Sequence, residues 1–367
     1  MLLKKITLLN FRNYGKLEWE PCGGMNLITG PNAQGKTNLL EAIFFSGLGY
    51  SFRRRDRDVV RWGYSSATIQ ASYRLLHADV DVHVDIDSEG RKKIYVNGVD
   101  DTGRDMLPGR RSGVVLFRPD DLQIIKGPPA RRREFIDNDL GLVEPVYRSS
   151  LQSYRRVVLQ RNNLLRAGGG PSSETLKIWN EYFYRCGADV LARRIGILKK
   201  FFPLVRRMYD HIAGNGEELD MKYMSTVKIT GAHDARQLAA DFAAEGKARE
   251  KEELYKKQTL IGPHRDDIVF FLNKKDIRYF GSQGQIRSLV LALKAAQMEL
   301  FRQTTGEQPV LLLDDVLMEL DGRRQNCLMQ LFSSEVQSFA TSTQLTGAIA
   351  RRAGGVYLIN GGIIKEE

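Results

Sequence analysis

Short apolar segments dominate the first third of the chain. Residues 68–73 and 80–86 alternate apolar and polar positions, as β-strands with one buried face do, and residues 6–11 form a more continuous apolar strand. Residues 25–29 form another apolar strand, which enters a glycine-rich turn, and apolar positions in 36–48 then recur at helical spacing. The pattern predicts a strand, a turn and a helix in direct succession near the N-terminus.

Helical spacing takes over after residue 121. Apolar residues recur every three or four positions in 145–166 and again in 176–197, and a glycine run at 168–170 separates the two stretches. We predict an antiparallel helical hairpin whose first arm, residues 145–166, is roughly 33 Å long at the helical rise per residue. Such an arm is much shorter than a long coiled coil.

Strands and helices alternate again towards the C-terminus. Apolar strands are predicted at 268–272, 309–313, 336–341 and 356–359, with a helix at 285–303. The predicted fold is therefore an α/β lobe built from both ends of the chain, with a mixed sheet flanked by helices and antiparallel strands near the N-terminus. A helical lobe is inserted into it. The predicted division is 1–121 and 276–367 for the α/β lobe and 122–275 for the insertion.

The turn after the 25–29 strand carries the first chemical signal. Eight residues fit the pattern GxxxxGK[ST]: Gly30, Pro31, Asn32, Ala33, Gln34, Gly35, Lys36 and Thr37. In such a loop, backbone N–H groups and the positive end of the following helix face phosphate oxygens. Lys36 would reach the β- and γ-phosphates, and the Thr37 hydroxyl would ligate Mg²⁺. A predicted strand precedes this loop and a predicted helix follows it, which argues against a chance match to the pattern.

A second signal lies at the end of the 309–313 strand. Asp314 and Asp315 follow four apolar residues, so both carboxylates stand at the strand's carboxyl end. Asp314 can hold the Mg²⁺ shell, and Asp315 can orient or deprotonate an attacking water. Solvated aspartates at a strand end are the alternative. Many such ATPases have Glu at the second position, so the shorter Asp315 predicts slow hydrolysis.

Residues 281–285 read Gly-Ser-Gln-Gly-Gln and directly precede the predicted helix 285–303. Small residues, a hydroxyl and backbone donors at a helix N-terminus form a second surface that can recognise an anion. An ordinary helix cap in a flexible loop is the stronger interpretation when this motif is taken alone.

Composition and charge narrow the class of partner. The 367 residues carry 55 Lys+Arg and 44 Asp+Glu, a net charge of +11, which favours a polyanionic partner. We predict that two arginine clusters contact DNA phosphates: Arg53, Arg54, Arg55, Arg57, Arg131, Arg132 and Arg133. Solvated helix faces are the alternative for each cluster. No base-reading motif accompanies them, so we expect contacts to the DNA backbone and to its shape.

The chain shows no signal for a membrane or a secretory pathway. No apolar run approaches the ~20 residues that a spanning helix requires, and lysines interrupt the short apolar start. Cys22, Cys186 and Cys327 lack metal-ligand spacing, so we interpret them as buried thiols in a reducing compartment. We therefore expect a cytoplasmic protein without a membrane partner.

The order of these motifs resembles the ABC-type ATPase heads of the SMC class. Phosphate loop, helical insertion, Ser-Gln-Gly-Gln and the acidic strand followed by residues 318–321 succeed one another in the same way. More narrowly, the chain resembles the RecF family of bacterial DNA replication and repair proteins. The segments that carry this resemblance are FRNY at 11–14, RDRD at 55–58, RRR at 131–133, LIGPHRDD at 260–267 and DDV at 314–316. It extends over essentially the whole chain.

The resemblance implies an ATP- and Mg²⁺-dependent homodimer with nucleotide between two protomers. In the first protomer, Asp314 would serve Mg²⁺, Asp315 the water, and Arg12 and Asn13 the adenine side. In the second, the implied contacts come from Ser282, Gly284, Gln285 and Asp321. Such heads often have a glutamine where residues 117–121 fall and a histidine where residues 341–343 stand; neither residue type occurs in these two segments.

The function that the resemblance implies is ATP-dependent DNA binding in recombinational repair and replication restart. The expected DNA sites are single-strand gaps and duplex junctions. RecR, RecO and RecA are the implied partners, with RecA loading and SOS induction as the outcome. A weak, DNA-stimulated ATPase activity is the expected chemistry.

Three other functions use the same phosphate loop. A GTP-binding protein is suggested by DxxG at 100–103 and NKxD at 273–276, although some 170 mostly helical residues separate them. An ABC transporter ATPase subunit would be expected to carry the missing glutamine and histidine. A DNA-binding scaffold that binds ATP without hydrolysing it is compatible with Asp315.

Overall fold

The computed structural model describes residues 1–53, 55–102, 113–168, 174–214, 216–230, 235–331, 336–343 and 350–366. The strands are β1 (Leu2–Phe11), β2 (Tyr14–Trp19), β3 (Met25–Thr29), β4 (Ser66–Arg74), β5 (Asp79–Asp87), β6 (Lys92–Val96), β7 (Val99–Asp100), β8 (Val114–Phe117), β9 (Leu219–Met224), β10 (Asp267–Leu272), β11 (Lys275–Asp276), β12 (Val310–Leu313), β13 (Ser338–Ser342), β14 (Gly355–Asn360) and β15 (Ile363–Glu366). The helices are α1 (Lys36–Leu48), α2 (Gln123–Lys126), α3 (Pro129–Glu134), α4 (Pro145–Arg166), α5 (Glu174–Ala213), α6 (Ala235–Lys256), α7 (Ile277–Phe280), α8 (Gln283–Thr305) and α9 (Gly322–Leu331).

The chain divides into two compact units. One unit combines Met1–Asp121 with Leu293–Glu367, and the other consists of Leu122–Ala292. We call the first the nucleotide lobe and the second the inserted unit. The boundary between them after Ala292 lies inside α8.

A largely parallel sheet forms the core of the nucleotide lobe. Its strand order is β15-β14-β3-β13-β12-β8, and only β15 runs antiparallel to its neighbour. Every residue of β3, β12 and β13 is buried, as expected for strands covered on both faces. These three strands are neighbours and parallel, so the residues that follow them meet at one edge of the sheet.

A second, antiparallel sheet completes the nucleotide lobe. Its order is β2-β1-β4-β5-β6-β7. Burial alternates along β4 and β5, with one face against the core and one towards solvent, which confirms the period-two interpretation of this region. Helix α1 packs against β4 and β5 of this sheet and against β8 and β13 of the parallel sheet.

The inserted unit contains the predicted helical hairpin. Arg161 near the end of α4 bonds Asn180 near the start of α5, whereas Tyr147 near the start of α4 bonds Arg194 further along α5. The two helices are therefore antiparallel, and α4 has the predicted bounds. Helix α5 is longer than predicted and continues through Pro203, because Phe201, Val205 and Tyr209 extend its buried stripe.

The LIGPHRDD segment is hydrogen-bonded to other parts of the inserted unit. Asp266 accepts hydrogen bonds from the Tyr223 hydroxyl and from the backbone and side chain of Thr226. His264 Nδ1 and the Tyr154 hydroxyl are hydrogen-bonded at 2.6 Å. Burial lowers the pKa of His264 to about 4, so this imidazole is neutral near pH 7 and serves as a hydrogen-bond partner.

Two expectations about the rest of the chain can be compared directly with the structure. Cys22, Cys186 and Cys327 are free thiols, but they are half-buried rather than buried, so that interpretation was wrong in degree. Within the described residues, no helix has the length and apolar character needed to cross a lipid bilayer.

Candidate functional site

The loop from Gly30 to Thr37 joins the buried end of β3 to the first turn of α1. Its backbone has left-handed φ values at Gly30 (140°) and Gly35 (115°). A Cβ atom at Gly30 would lie 2.3 Å from the Ile359 carbonyl oxygen, and one at Gly35 would lie 2.6 Å from Asn13 Nδ2. Both the conformation and the space therefore require glycine at these positions. The loop leaves α1 with its first N–H groups at the edge of the sheet.

The Lys36 side chain folds back over this loop. Its Nζ donates hydrogen bonds to the carbonyl oxygens of Gly30 (2.7 Å) and Pro31 (2.9 Å), and the residue is buried. The ammonium is held by neutral acceptors, and among the described residues it forms no ion pair. A buried cation held in this way is available to an anion that enters the loop.

Thr37 and Asp314 bring the two ends of the site together. The Thr37 hydroxyl donates to Asp314 Oδ1 at 2.8 Å, and the Thr341 hydroxyl lies 3.1 Å from the same oxygen. Hydroxyl and carboxylate oxygens are the ligands that Mg²⁺ takes in proteins together with waters and phosphate oxygens. This donor set, beside the loop that Lys36 covers, fits a Mg²⁺–nucleotide complex.

Asp315 occupies a strained position next to this pair. Its φ of 53° lies in the left-handed region, and its backbone N–H donates to the Thr341 hydroxyl at 2.9 Å. Burial, and then the charge of Asp314, raise the pKa of the Asp315 carboxyl above its usual value, against a smaller opposing effect of Lys36. A carboxylate with a raised pKa beside a phosphate loop has the character of a proton acceptor.

Arg12 and Asn13 lie against α1 and the loop. The Arg12 guanidinium forms two hydrogen bonds with the buried Glu41 carboxylate, at 2.8 and 2.9 Å. Asn13 Nδ2 donates to the Gln34 carbonyl oxygen, and Asn13 Oδ1 accepts from Asn38. These contacts fix the shape of the loop, whereas the predicted adenine contact stays a prediction.

The Ser-Gln-Gly-Gln motif caps α8 within the inserted unit. Ser282 Oγ accepts from the Gln285 backbone N–H at 3.2 Å, and Gln285 Oε1 accepts from the Ser282 backbone N–H at 2.8 Å. These two reciprocal hydrogen bonds form a capping box. The ordinary helix cap that the sequence also allowed is therefore present. Gln285 Nε2 also donates to Glu217, while Ser282 is exposed and Gly284 follows it in the first turn.

Asp321 begins another helix in the nucleotide lobe. It precedes α9 and accepts from the Arg324 backbone N–H at 2.9 Å, and its carboxylate also pairs with the Arg324 side chain. These contacts lower the pKa of Asp321, the backbone hydrogen bond from Arg324 most of all. The observed role of Asp321 is an N-cap, and its proposed contact with a second protomer stays a prediction.

Comparison with known proteins places the chain in a family. Residues 2–358 match the family described as RecF/RecN/SMC N terminal domain. The chain is 41% identical to the DNA replication and repair protein RecF of Desulforamulus reducens, with 100% of this chain and 99% of that protein covered. RecF of Streptococcus suis (strain 05ZYH33) is 39% identical, with 94% and 93% covered. The chain belongs to the RecF family.

Solved structures extend this result to the fold. A RecF–ATP structure, described as a recombination mediator protein in the RecFOR pathway, is 31% identical to this chain. It superposes with a TM-score of 0.90 and covers 100% of this chain and 97% of its own. An Smc head bound to the C-winged helix domain of ScpA is 15% identical, with a TM-score of 0.57 and coverage of 100% and 97%. This RecF-family chain therefore has the predicted fold of an SMC-like ABC ATPase head.

The fold argues against a GTP-binding RecF-family chain. Asn273 and Lys274 form a left-handed turn between β10 and β11, in the sheet β11-β10-β9 of the inserted unit. The phosphate loop follows β3 of a different sheet. In a GTP-binding protein, the Asp that contacts the guanine base lies at the end of the sheet that carries the phosphate loop. Asp276 lies on a different sheet, so it does not fit this role. Of the DxxG match, Gly103 lies outside the described residues.

The second arginine cluster is not a uniform DNA-binding surface. Arg132 is buried, binds both oxygens of Asp267 at 2.7 and 3.0 Å, and also donates to the Gly127 carbonyl. Its predicted contact with DNA is wrong, because a guanidinium enclosed by protein acceptors cannot reach a phosphate. Arg131 is exposed and pairs with Glu134, while Arg133 is half-buried and donates to the Asp266 carbonyl.

The first arginine cluster is closer to solvent. Arg55 and Arg57 are exposed and border an open surface depression with Glu89. Arg53 is directed towards α1, where it bonds Asn38 and pairs with Glu41. Arg54 lies outside the described residues. Contact of these arginines with DNA stays a prediction.

Sequence reasoning missed two residues that organise the nucleotide site. Glu41 is fully buried and pairs with Arg12 and Arg53, and it also accepts from the Ser51 hydroxyl. A single acid inside the apolar stretch of α1 was the available signal. Thr341, where a histidine was expected, contacts Asp314 and Asp315; only the parallel pairing of β12 with β13 brings it there.

Proposed function

We propose that this RecF-family protein binds ATP with Mg²⁺ and that ATP closes two copies into a dimer that grips DNA. The observation that carries the proposal is the joining of Thr37 to Asp314 beside a loop covered by Lys36. Arrangements of this kind hold the β- and γ-phosphates and their metal in P-loop ATPases. The match to a RecF–ATP structure at 31% identity supports ATP as the nucleotide.

In this proposal each residue of the site has a distinct role. The loop N–H groups and Lys36 bind phosphate oxygens, and Thr37 and Asp314 hold Mg²⁺. When bound, Mg²⁺ neutralises charge that builds up on the phosphates. Asp315 accepts a proton from the attacking water. Its short side chain and partial burial favour slow turnover, so the ATP-bound state persists.

The dimer is the step that couples nucleotide to DNA. In the proposal, Ser282, Gly284, Gln285 and Asp321 of the second copy approach the γ-phosphate bound by the first copy. Ser282 is exposed and stands at the N-terminus of a long helix, which supports an anion contact. Nucleotide that favours the dimer and DNA that favours the dimer then strengthen each other's binding by the same factor.

We place the activity in the cytoplasm, in repair and replication restart. Single-strand gaps and duplex junctions are the proposed DNA sites. RecO and RecR are the proposed partners, with RecA loading and SOS induction as the consequence. The naming of the matched structure as a mediator of the RecFOR pathway supports these partners. A net charge of +11 supports the DNA contact.

Light scattering with ATP, with ADP and without nucleotide tests the proposal. Wild-type protein should dimerise with ATP alone, and Lys36→Ala should remain monomeric in all three conditions because the phosphates lose their buried cation. Lys93→Ala removes an exposed lysine from β6 and is the matched control, which should dimerise normally. Dimerisation of Lys36→Ala with ATP, or a wild-type protein that stays monomeric, would contradict the proposal.

A further inference from the structure

Trp62 is presented to solvent at the tip of a tight turn in the nucleotide lobe. The Tyr64 backbone N–H donates to the Arg61 carbonyl oxygen at 3.1 Å, and Gly63 has a φ of 85°, as a type II turn requires. The Trp62 side chain is 97% exposed. Tryptophan is one of the more buried residue types, and Trp19 of the same lobe is 6% exposed.

The base of this turn is anchored to the sheet. The Arg61 N–H donates to the Asn10 carbonyl at 2.8 Å, and the Arg12 N–H donates to the Val59 carbonyl at 2.7 Å. Val60 forms a β-bridge with Phe11, and Val60 is buried. The backbone that carries Trp62 is therefore held in place, so little backbone entropy is lost when the indole binds a partner.

Arg61 adjoins Trp62 in the same turn, and Arg57 and Arg55 precede Trp62 by five and seven positions in the sequence. The Arg61 guanidinium lies 5.8 Å from the centre of the Tyr64 ring, and Tyr64 is itself 51% exposed. Within the described part of the chain, Arg55 and Arg61 form no ion pair, whereas Arg57 pairs with Asp58 at 3.8 Å. Exposed aromatic rings beside arginines are features of surfaces that bind single-stranded nucleic acid.

We propose that Trp62 stacks on an unpaired base of single-stranded DNA, with Arg55, Arg57 and Arg61 against the adjoining phosphates. This inference rests on the proposed DNA-binding function and adds the residue that selects unpaired nucleotides. Every base has a π-face, so stacking tolerates any sequence, whereas the bases of an intact duplex are covered by their neighbours. The arginines contribute affinity that weakens with salt, and Trp62 contributes the preference for single strands.

Tryptophan fluorescence tests the stacking contact directly. The chain has 3 tryptophans, and titration with oligo-dT should quench the emission of wild-type protein because a base covers Trp62. Trp62→Phe should bind oligo-dT without quenching. An abasic oligonucleotide of the same length presents the same phosphates, so quenching by it as strong as that by oligo-dT would overturn the inference.

Binding affinity gives a second, independent measurement. Trp62→Ala should weaken binding of oligo-dT about tenfold and leave binding of a blunt duplex nearly unchanged, because one stacking contact is lost. Tyr255→Ala removes an 87% exposed ring from the inserted unit and should change neither affinity. Because the Trp62 side chain is exposed, Trp62→Ala should unfold at the same midpoint temperature as wild type.

The outcomes separate this inference from the proposed function. If wild-type protein binds no DNA of any form, the proposed function and the inference both fail. If wild type binds DNA and Trp62→Ala binds oligo-dT equally well, only the inference fails. If Trp62→Ala instead prevents ATP-driven dimerisation without DNA, the indole belongs to a protein interface and the stacking contact is excluded.

Discussion

The charged groups at the phosphate loop and the buried arginines of the inserted unit are held in opposite ways. In the inserted unit, Arg132, Arg161 and Arg194 are buried and paired with Asp267, Glu253 and Asp137. In the nucleotide lobe, Lys36 is held only by carbonyl oxygens, and Asp314 by the hydroxyls of Thr37 and Thr341. These three arginines are neutralised within the inserted unit, whereas Lys36 and Asp314 are held by neutral hydrogen-bond partners and can still bind ions of opposite sign.

This difference separates structural charges from those that serve a ligand. In a buried ion pair with complete hydrogen bonding, all donors and acceptors are occupied, so neither side chain can bind a ligand. Removal of one partner leaves the other charge unpaired. Lys36, which is buried at the phosphate loop and held by neutral carbonyl groups, can still pair with an anion that enters the loop. Residue type and clustering do not reveal how a charge is held, because the buried Arg132 and the exposed Arg131 are neighbours in one arginine run.

The largest expected effect comes from exchanging neighbouring arginines of α3. Arg132→Met should lower the free energy of unfolding by about 3–5 kcal/mol, because Asp267 loses its buried partner. Arg131→Met removes an exposed pair with Glu134 and should cost at most a few tenths of a kcal/mol. Urea unfolding of both variants measures the contrast. Equal losses would show that the two arginines are not held differently.

The second largest effect is expected at the phosphate loop, where Asp315 follows Asp314. Asp315→Asn should slow ATP hydrolysis about a hundredfold or more, since the proton acceptor is lost, and should leave ATP binding intact. Asparagine tolerates the left-handed φ of this position, so the backbone should be preserved. Single-turnover hydrolysis and nucleotide binding are the two measurements.

The pH dependence of the same reaction follows from the raised pKa of Asp315. The group must be ionised to accept a proton, so wild-type hydrolysis should fall on acidification at a higher pH than an ordinary aspartate would give. The residual rate of Asp315→Asn should lack this acid limb. A wild-type profile that stays flat down to the usual aspartate pKa would remove Asp315 from the role of base.

Local signals in the sequence predicted the nucleotide site, and long-range partners decided the rest. The phosphate loop and the acids after β12 lie where strand and helix patterns put them, because parallel strands bring their carboxyl ends together. The arginine run of α3 was misjudged at Arg132, since successive helical residues turn by about 100° and point in different directions. Its partner Asp267 is 135 residues away, beyond any local pattern.

Ser282 belongs to both sides of the comparison. Its hydroxyl is satisfied inside the capping box, as the charges of the inserted unit are satisfied, yet it is exposed and proposed to contact a γ-phosphate. Ser282→Ala should cost about 1 kcal/mol of stability, because the cap is lost. Ser282→Asp keeps a good N-cap and should be as stable as wild type.

Ser282→Asp distinguishes a role of Ser282 in ATP-driven dimerisation from a role as a helix cap alone. A carboxylate at position 282 would repel the γ-phosphate of the opposing copy, so Ser282→Asp should bind ATP as a monomer and fail to dimerise by light scattering. If Ser282 is only a cap, Ser282→Asp dimerises like wild type and Ser282→Ala shows a stability loss alone. If Ser282→Asp is stable and binds ATP but does not dimerise, Ser282 contacts the γ-phosphate of the opposing copy, although its hydrogen bonds in the monomer come from its own unit.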